Sequence, residues 1–475
     1  MSPEIATFAY AIGILGLFAL DRDRSHLTSK ALWIPVLWLL IGASRPVSAW
    51  LQVAPPSSAD AYLDGSPVDR FVFTCLLAAG LIVLFTRANR VGTLLRENQL
   101  ILLFFGYCAV SVLWSDYPDV AFKRWVKFVG NLVMVLIVLT DSEPLAALKR
   151  LVTRAGFLLL PVSVLLIRYY PELGRTYTAG DRVSDPWRLA YTGVTDTKNG
   201  LGAICLLFGL AALWRCIELL RDKERPHRLR HLTSQAALLA LTFWLLGLAN
   251  SMTSLSCFLL TGGLIVIASS HRFTRNRALV QLVAVGAVFI SLLAIFMAPS
   301  VLVAIGKDPT LTGRTDIWKT VLGMAGNPVL GTGFESFWLG PRLQAIWNNY
   351  WWHPNEAHNG YIEIFLNLGW IGVGLVAMII VAGYRNVIRT YRENPEEGQI
   401  KLAYFVVGIV YNLTESAFRM VDPIWFFFLL AAFVVPEATV AEDSPAIIND
   451  EPESLGPPEP EFSYISHAPI RRGRV

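Results

Sequence analysis

Charge is scarce in this chain. Only 16% of the 475 residues are Asp, Glu, Lys or Arg, where ordinary soluble domains carry about 25%. With 54% hydrophobic residues and a mean hydropathy of +0.49, that shortage excludes a typical soluble enzyme. The net charge of +4 is too small to imply nucleic acid as a partner. The five cysteines form no CxxC pair, which argues against a zinc site or a disulfide framework, and they read as packing residues. There is no P-loop, HExxH or GxSxG, and "GTGFES" lacks the preceding strand and the spacing of a dinucleotide fingerprint. The chain therefore shows no nucleotide, metal or other cofactor site, and no internal repeat.

What the sequence does have is apolar runs. They recur from Ala6 to Val435 between short charged or Gly/Pro-containing loops, which predicts an all-α, polytopic transmembrane helical bundle. Candidate spans fall at about 4–20, 31–50, 70–86, 98–114, 126–140, 152–168, 200–214, 234–250, 255–270, 278–299, 360–383, 402–418 and 423–436, about 12 to 13 in all. The first, with Glu4 and no basic n-region, reads as a retained span rather than a signal peptide. Residues 1–436 thus form one membrane domain. Residues 437–475, acidic and proline-rich ("EDSPAIINDEPESLGPPEPEF"), read as a disordered cytoplasmic tail.

Lysine and arginine crowd alternate short loops such as "DRDRSHLTSK", "RANRVGTLLREN", "ALKRLVTR" and "HRFTRNR", which places those loops in the cytoplasm. The outer face then holds "WSDYPDVAFKRWVKFVG" and two larger segments, about 168–200 and about 300–359. Loops of that size are commonly functional.

The outer segments carry the residues suited to chemistry. Arg314, in "LTGRTDIW", stands at a predicted helix start, where free amide N–H groups and a guanidinium together suit a phosphate. The plainer reading pairs it with Asp308 or Asp316. Trp338, Trp347, Trp351 and Trp352 suit an interfacial aromatic belt, and equally a platform for sugar rings. His358 and Asn359 precede a helix in "HPNEAHNGYIEIFLNLGWIG", and Asn359, Glu363 and Asn367 line one face of it. Such a stripe must face the bundle interior or a wet cavity. His353 is a weaker candidate. The other large segment holds Arg168, Arg175, Arg182, Arg188 and Lys198; outward positive charge opposes the usual bias and calls for an anionic partner. Lys198 and Asn199 immediately precede a span, and Lys123, Arg124 and Lys127 form a basic turn in the first outer segment.

The succession of "WSDYPDVAFKRWVK", "RYYPELGRTY", "YTGVTDTKNGLG", "LTGRTDIW", "NPVLGTGFESFW" and "AHNGYIEIFLNLGWIG" resembles the O-antigen ligase and Wzy-type polymerase superfamily, most closely its exopolysaccharide-production branch. The resemblance implies a GT-C-like membrane glycosyltransferase of the bacterial inner membrane with a periplasm-facing site. It would move a glycan from undecaprenyl diphosphate to a glycan acceptor with inversion, using neither nucleotide nor metal. It assigns the family's loop arginine to Arg314, its histidine to His358 and its earlier asparagine to Asn199. Arg314 would stabilise the departing diphosphate, and His358 would act as general base or as a donor orienting the acceptor hydroxyl. Glu363 is an alternative base. Lys198, Arg188, Asn359, Arg124 and Trp351 are candidates for substrate binding. Many relatives carry a basic residue after Ser where this chain has Met252 in "ANSMTSLS", with Lys198 or Arg188 available to compensate.

Three alternatives stay open beside a polymerase of lipid-linked repeat units. They are a ligase to lipid A core, a lipid-linked glycan transporter, and a non-catalytic member of an export complex. A chain-length regulator is a further possible partner.

Overall fold

The computed structural model describes residues 1–22, 28–53, 63, 65–182, 185–270, 278, 281–286, 288–292 and 314–435. The acidic tail and the first part of the 300–359 segment, Asp308 included, lie outside the described residues.

The chain folds as an all-α, multi-pass membrane protein. Helix α1 (Pro3–Leu20) is largely apolar beyond Glu4 yet buries only Ala6, so its faces suit lipid. After α2 (Trp33–Gly42), α3 (Pro67–Phe85), α4 (Ala88–Glu97), α5 (Gln99–Val110) and α6 (Pro118–Leu139) come the central pair, α7 (Pro144–Tyr169) and α8 (Lys198–Arg221). Both members of the pair are largely buried. They are followed by α9 (Arg228–Ala249), α10 (Met252–Ser269), two shorter helices, α11 (Arg314–Gly323) and α12 (Gly340–Asn349), then α13 (Gly360–Glu393), α14 (Pro395–Tyr411) and α15 (Pro423–Ala432).

Seven of the described helices are long and apolar enough to cross a bilayer, or eight if α4 and the 99–114 helix, bent by 90° at Asn98, form one span. This is below the 12 to 13 expected. A helix occupies each expected position among the described residues, but apolarity in sequence does not separate lipid contact from protein burial. Helices α2 and α15 have only 10 residues each, and α15 is buried along its whole length, as befits a core helix too short to span. Helix α6 opens with Asp119, Lys123, Arg124 and Lys127 and is apolar only beyond them.

Three corrections concern the segments that carry the site. The 168–200 segment is no plain loop: β1 (Arg175–Arg182) and β2 (Asp185–Tyr191) pair antiparallel, Arg175 opposite Tyr191. Arg45 pins the return from this hairpin, contacting Thr195 O at 3.0 Å and Asp196 at 3.2 Å. The expected span 402–418 ends early, at Tyr411. Asn412 stops it: its Oδ1 accepts from Ala417 N (2.8 Å) and Phe418 N (3.0 Å), coiling residues 412–418 into a tight non-helical turn. Finally, α13 is broken at Gly369 (φ +62°), where residues 328–333 pack alongside and Trp370 N donates to Pro328 O at 2.9 Å. The polar stripe faces this docked segment. Asn367 Oδ1 accepts from Ser336 N (2.9 Å) and Phe337 N (3.0 Å), and Glu363 accepts from Ala357 N and, at 2.9 Å, from Trp338 Nε1. Helices α11 and α12 then close a second small core around Ile317, Val321, Phe337, Leu343 and Ile346.

Candidate active site at four helix starts

Among the described residues Arg314 pairs with Glu415 and not with Asp316, while Asp308 lies outside them. The Arg314 Nη2 meets Glu415 Oε1 at 2.7 Å, and its Nη1 donates to the carbonyl of Thr414. The same Glu415 oxygen accepts from Asn199 Nδ2 at 2.9 Å. The other oxygen, Oε2, lies 3.3 Å from His358 Nδ1, which also faces Glu356 Oε1 at 2.9 Å. Glu356 is held from its far side by Arg419, 2.7 Å from Oε2. Two carboxylates and three cationic groups thus form one continuous network.

The backbone brings these side chains together at four helix beginnings. Asn199 lies in the first turn of α8, capped by Thr197. Thr253 lies in the first turn of α10, its hydroxyl 3.0 Å from that of Thr414. Arg314 is the first residue of α11, and His358 precedes Asn359, the N-cap of α13, whose Oδ1 accepts from Tyr361 N and Ile362 N. The turn bearing Glu415 is laced to the same place, since Gly360 N donates to Asn412 O (2.9 Å) and Glu415 O (3.0 Å). Each helix start contributes partial positive charge from unpaired N–H groups, equivalent to about half a unit, so the cluster is electrostatically suited to an anion.

Electrostatics set the protonation of the network. Burial alone would lower the His358 pKa, but the Glu356 and Glu415 carboxylates overturn it and raise the ring from the ordinary 6.5 to about 10. Burial pushes Glu356 up, and the charges of His358, Arg419 and Arg314 outweigh it, taking the carboxyl down to about 2. At neutral pH His358 is therefore an imidazolium. Its side chain is 30% exposed while that of Glu415 is 6% exposed, so the histidine forms the accessible edge and the glutamate the floor. Glu356, His358 and Glu415 could also offer ligands to a metal ion, but the guanidinium groups on both carboxylates already supply the positive charge a cation would bring.

Of the residues singled out by sequence, Arg314, His358 and Asn199 meet on Glu415. Lys198 stands one residue before Asn199 at the start of α8. Met252 is exposed in the first turn of α10, beside the Thr253 that contacts Thr414. Asn359 builds the scaffold, its Nδ2 donating to Leu413 O at 3.0 Å. Glu363 lies outside the cluster, as an anchor for Trp338 and Ala357. Arg124 donates to Glu335 O on the docked segment, His353 stacks on Trp347, and Trp351 is exposed against Trp352. Arg188 lies in β2 opposite Thr178, with its side chain outside the described residues.

Glu415, Glu356 and Arg419 escaped the sequence reading. "YNLTESAFR" reads as the end of a span and its sequon as a coincidence. The available signal was the ionisable pair Glu415 and Arg419 within an apolar stretch, a functional flag in its own right.

Residues 236–377 match the Wzy_C family, described as O-antigen ligase; that stretch holds Arg314, His358 and Glu356. Over that stretch the chain resembles the O-antigen ligase and Wzy superfamily. It is also similar to the exopolysaccharide production protein ExoQ of Rhizobium meliloti (strain 1021), 22% identical over 340 residues, which cover 68% of this chain and 72% of ExoQ. Asn199, Glu415 and Arg419 lie outside the family-matched stretch and join it only through the fold.

Proposed function

We propose that this protein is a member of the O-antigen ligase superfamily that transfers undecaprenyl-diphosphate-linked oligosaccharide units to a glycan acceptor at the outer face of the bacterial inner membrane, extending an exopolysaccharide or O-antigen. One observation carries the reading: Arg314, Asn199 and the His358 imidazolium converge on a single carboxylate at one end of the bundle. A lipid-linked sugar diphosphate needs such a site, anion-binding and at the membrane boundary so that its tail stays in lipid.

Sidedness follows from the opposite end. Helix α8 carries Asn199 at its start and Glu218 near its finish, about 29 Å further along the axis. Glu218 gathers Lys149 (2.8 Å), Arg225 (2.6 Å) and Arg215. The positive-inside bias supports reading this basic end as cytoplasmic, with the Glu415 cluster on the periplasmic side.

In the reaction the acceptor hydroxyl oxygen attacks the anomeric carbon as the bond from that carbon to the diphosphate oxygen breaks, inverting the centre, and the hydroxyl proton passes to water or to the departing diphosphate. Negative charge grows on the diphosphate. Arg314 and the His358 imidazolium meet it, and contacts that strengthen in the transition state accelerate the step. Lys198 extends the positive edge, and Trp351 offers a face for the glycan. A second reading, ligation of the finished glycan to lipid A core, draws on the O-antigen ligase description of the matched family.

In cells, His358→Ala should abolish polymer while lipid-linked repeat units accumulate and remain accessible to a periplasmic glycosidase. Units trapped on the cytoplasmic side would instead make the protein a transporter, and undiminished polymer would make it a non-catalytic partner.

A further inference from the structure

Two carboxylates hold His358, and the structure gives them different surroundings. Glu356 is clamped between His358 Nδ1 and Arg419, and neither of its partners is Arg314. Glu415 occupies the groups a diphosphate would need: one oxygen takes both Arg314 Nη2 (2.7 Å) and Asn199 Nδ2 (2.9 Å), and the other faces His358 (3.3 Å). Its main chain is fixed, with N donating to Tyr411 O and O accepting from Gly360 N, both at 3.0 Å. The side-chain torsions alone are free to move the carboxylate. With Arg314, Arg419 and protonated His358 facing Glu356 and Glu415, the resting cluster carries one net positive charge. A diphosphate diester brings two negative charges, and in a site this buried it cannot share Arg314 with a carboxylate without strong repulsion.

We propose, building on the function proposed above, that Glu415 is a positioning residue that acts as a resident counter-anion. It keeps Arg314, Asn199 and His358 in place while the site is empty and yields Arg314 and Asn199 to the diphosphate of the donor. His358 keeps its proton through the exchange because Glu356, locked by Arg419, stays where it is. The exchange also makes the site selective. A diphosphate presents two phosphate groups that reach Arg314 and Asn199 together and displaces the carboxylate, whereas a monophosphate ester, of similar total charge at neutral pH, offers a single group and gains less.

The test measures binding of inorganic pyrophosphate and of inorganic phosphate to the full chain in detergent at pH 7.5. It uses wild type, Glu415→Gln, Arg314→Ala and the double variant. Glu415→Gln should tighten pyrophosphate binding by about tenfold and narrow the preference over phosphate. Arg314→Ala should weaken pyrophosphate binding by a similar factor, and in its background Glu415→Gln should change little. If Glu415→Gln weakens binding as Arg314→Ala does, Glu415 only props the arginine and the inference is overturned. If Arg314→Ala binds pyrophosphate like wild type, the site is not a diphosphate site and the proposed function falls with it. Should Glu415→Gln not fold, Glu415→Asp draws the carboxylate back from Arg314 and should give a smaller gain of the same sign; a loss there overturns the inference equally.

Discussion

His358 sits at φ +51°, in the left-handed region that a non-glycine residue enters at a cost of order 1–3 kcal/mol. That backbone turns the ring toward Glu356 and Glu415, and the network that holds it there raises its pKa to about 10. The sign of the pH dependence follows. If the imidazolium is the working form, transfer is level through neutral pH and falls as pH rises through about 10; a general base would show the reverse, with activity climbing toward that value. A pH–rate profile of the purified protein separates the two. The same pairing stabilises the fold fully below pH 6.5, the ordinary histidine value, and is lost as pH rises through about 10, while the Glu356 contribution is present above about 4.5 and lost as pH falls toward 2. Replacing His358 with Ala should slow transfer by about 10²- to 10⁴-fold. Glu363→Gln, by contrast, should cost less than about tenfold, because the carboxylate anchors Trp338 and Ala357 and lies apart from the network; a loss matching that of His358→Ala would restore Glu363 as a base. At this scale Arg314, His358 and Asn199 were legible as polar groups before apolar runs. Glu415 was not, because its meaning lies in partners that are 57, 101 and 216 residues away in sequence.

Helix α13 shows what periodicity misses. Its apolar run reads as one continuous span, yet it breaks at Gly369, where φ is +62° and a Cβ would run into the Val329 carbonyl. The break gives the docked segment backbone partners, and Asn367 supplies two more. Gly369→Ala should therefore destabilise the protein by at least about 1–2 kcal/mol from backbone strain alone and loosen residues 328–337. The expected signs are a lower melting temperature in detergent and faster proteolysis within that segment. An unchanged melting temperature would mean that the helix can close the break without the docked segment. The hairpin at 175–191 and the turn at 412–418 were hidden for a related reason: both depend on single polar groups, Arg45 and Asn412, that no hydropathy window weighs.

Across the whole molecule the sequence conveyed the class, since charge-poor apolar runs report directly on the bilayer. It marked more runs than the seven or eight described helices long and apolar enough to cross, because protein burial and lipid burial select the same residues. The two ends of α8 give the orientation its own check: a single cysteine at Trp351 should react with a membrane-impermeant thiol reagent in intact cells, and one at Lys223 only after permeabilisation. The reverse pattern would turn the site toward the cytoplasm. The central claim is that the Glu415 network handles a lipid-linked sugar diphosphate, and reconstitution tests it most directly. Purified protein in liposomes is given undecaprenyl-diphosphate-linked repeat units, with chelator and without nucleotide, and the products are resolved on a gel. The account predicts a ladder of longer lipid-linked glycans that disappears in Arg314→Ala and His358→Ala. A single unchanged band with wild type, not rescued by added lipid A core, or a ladder that persists in both variants, would contradict it.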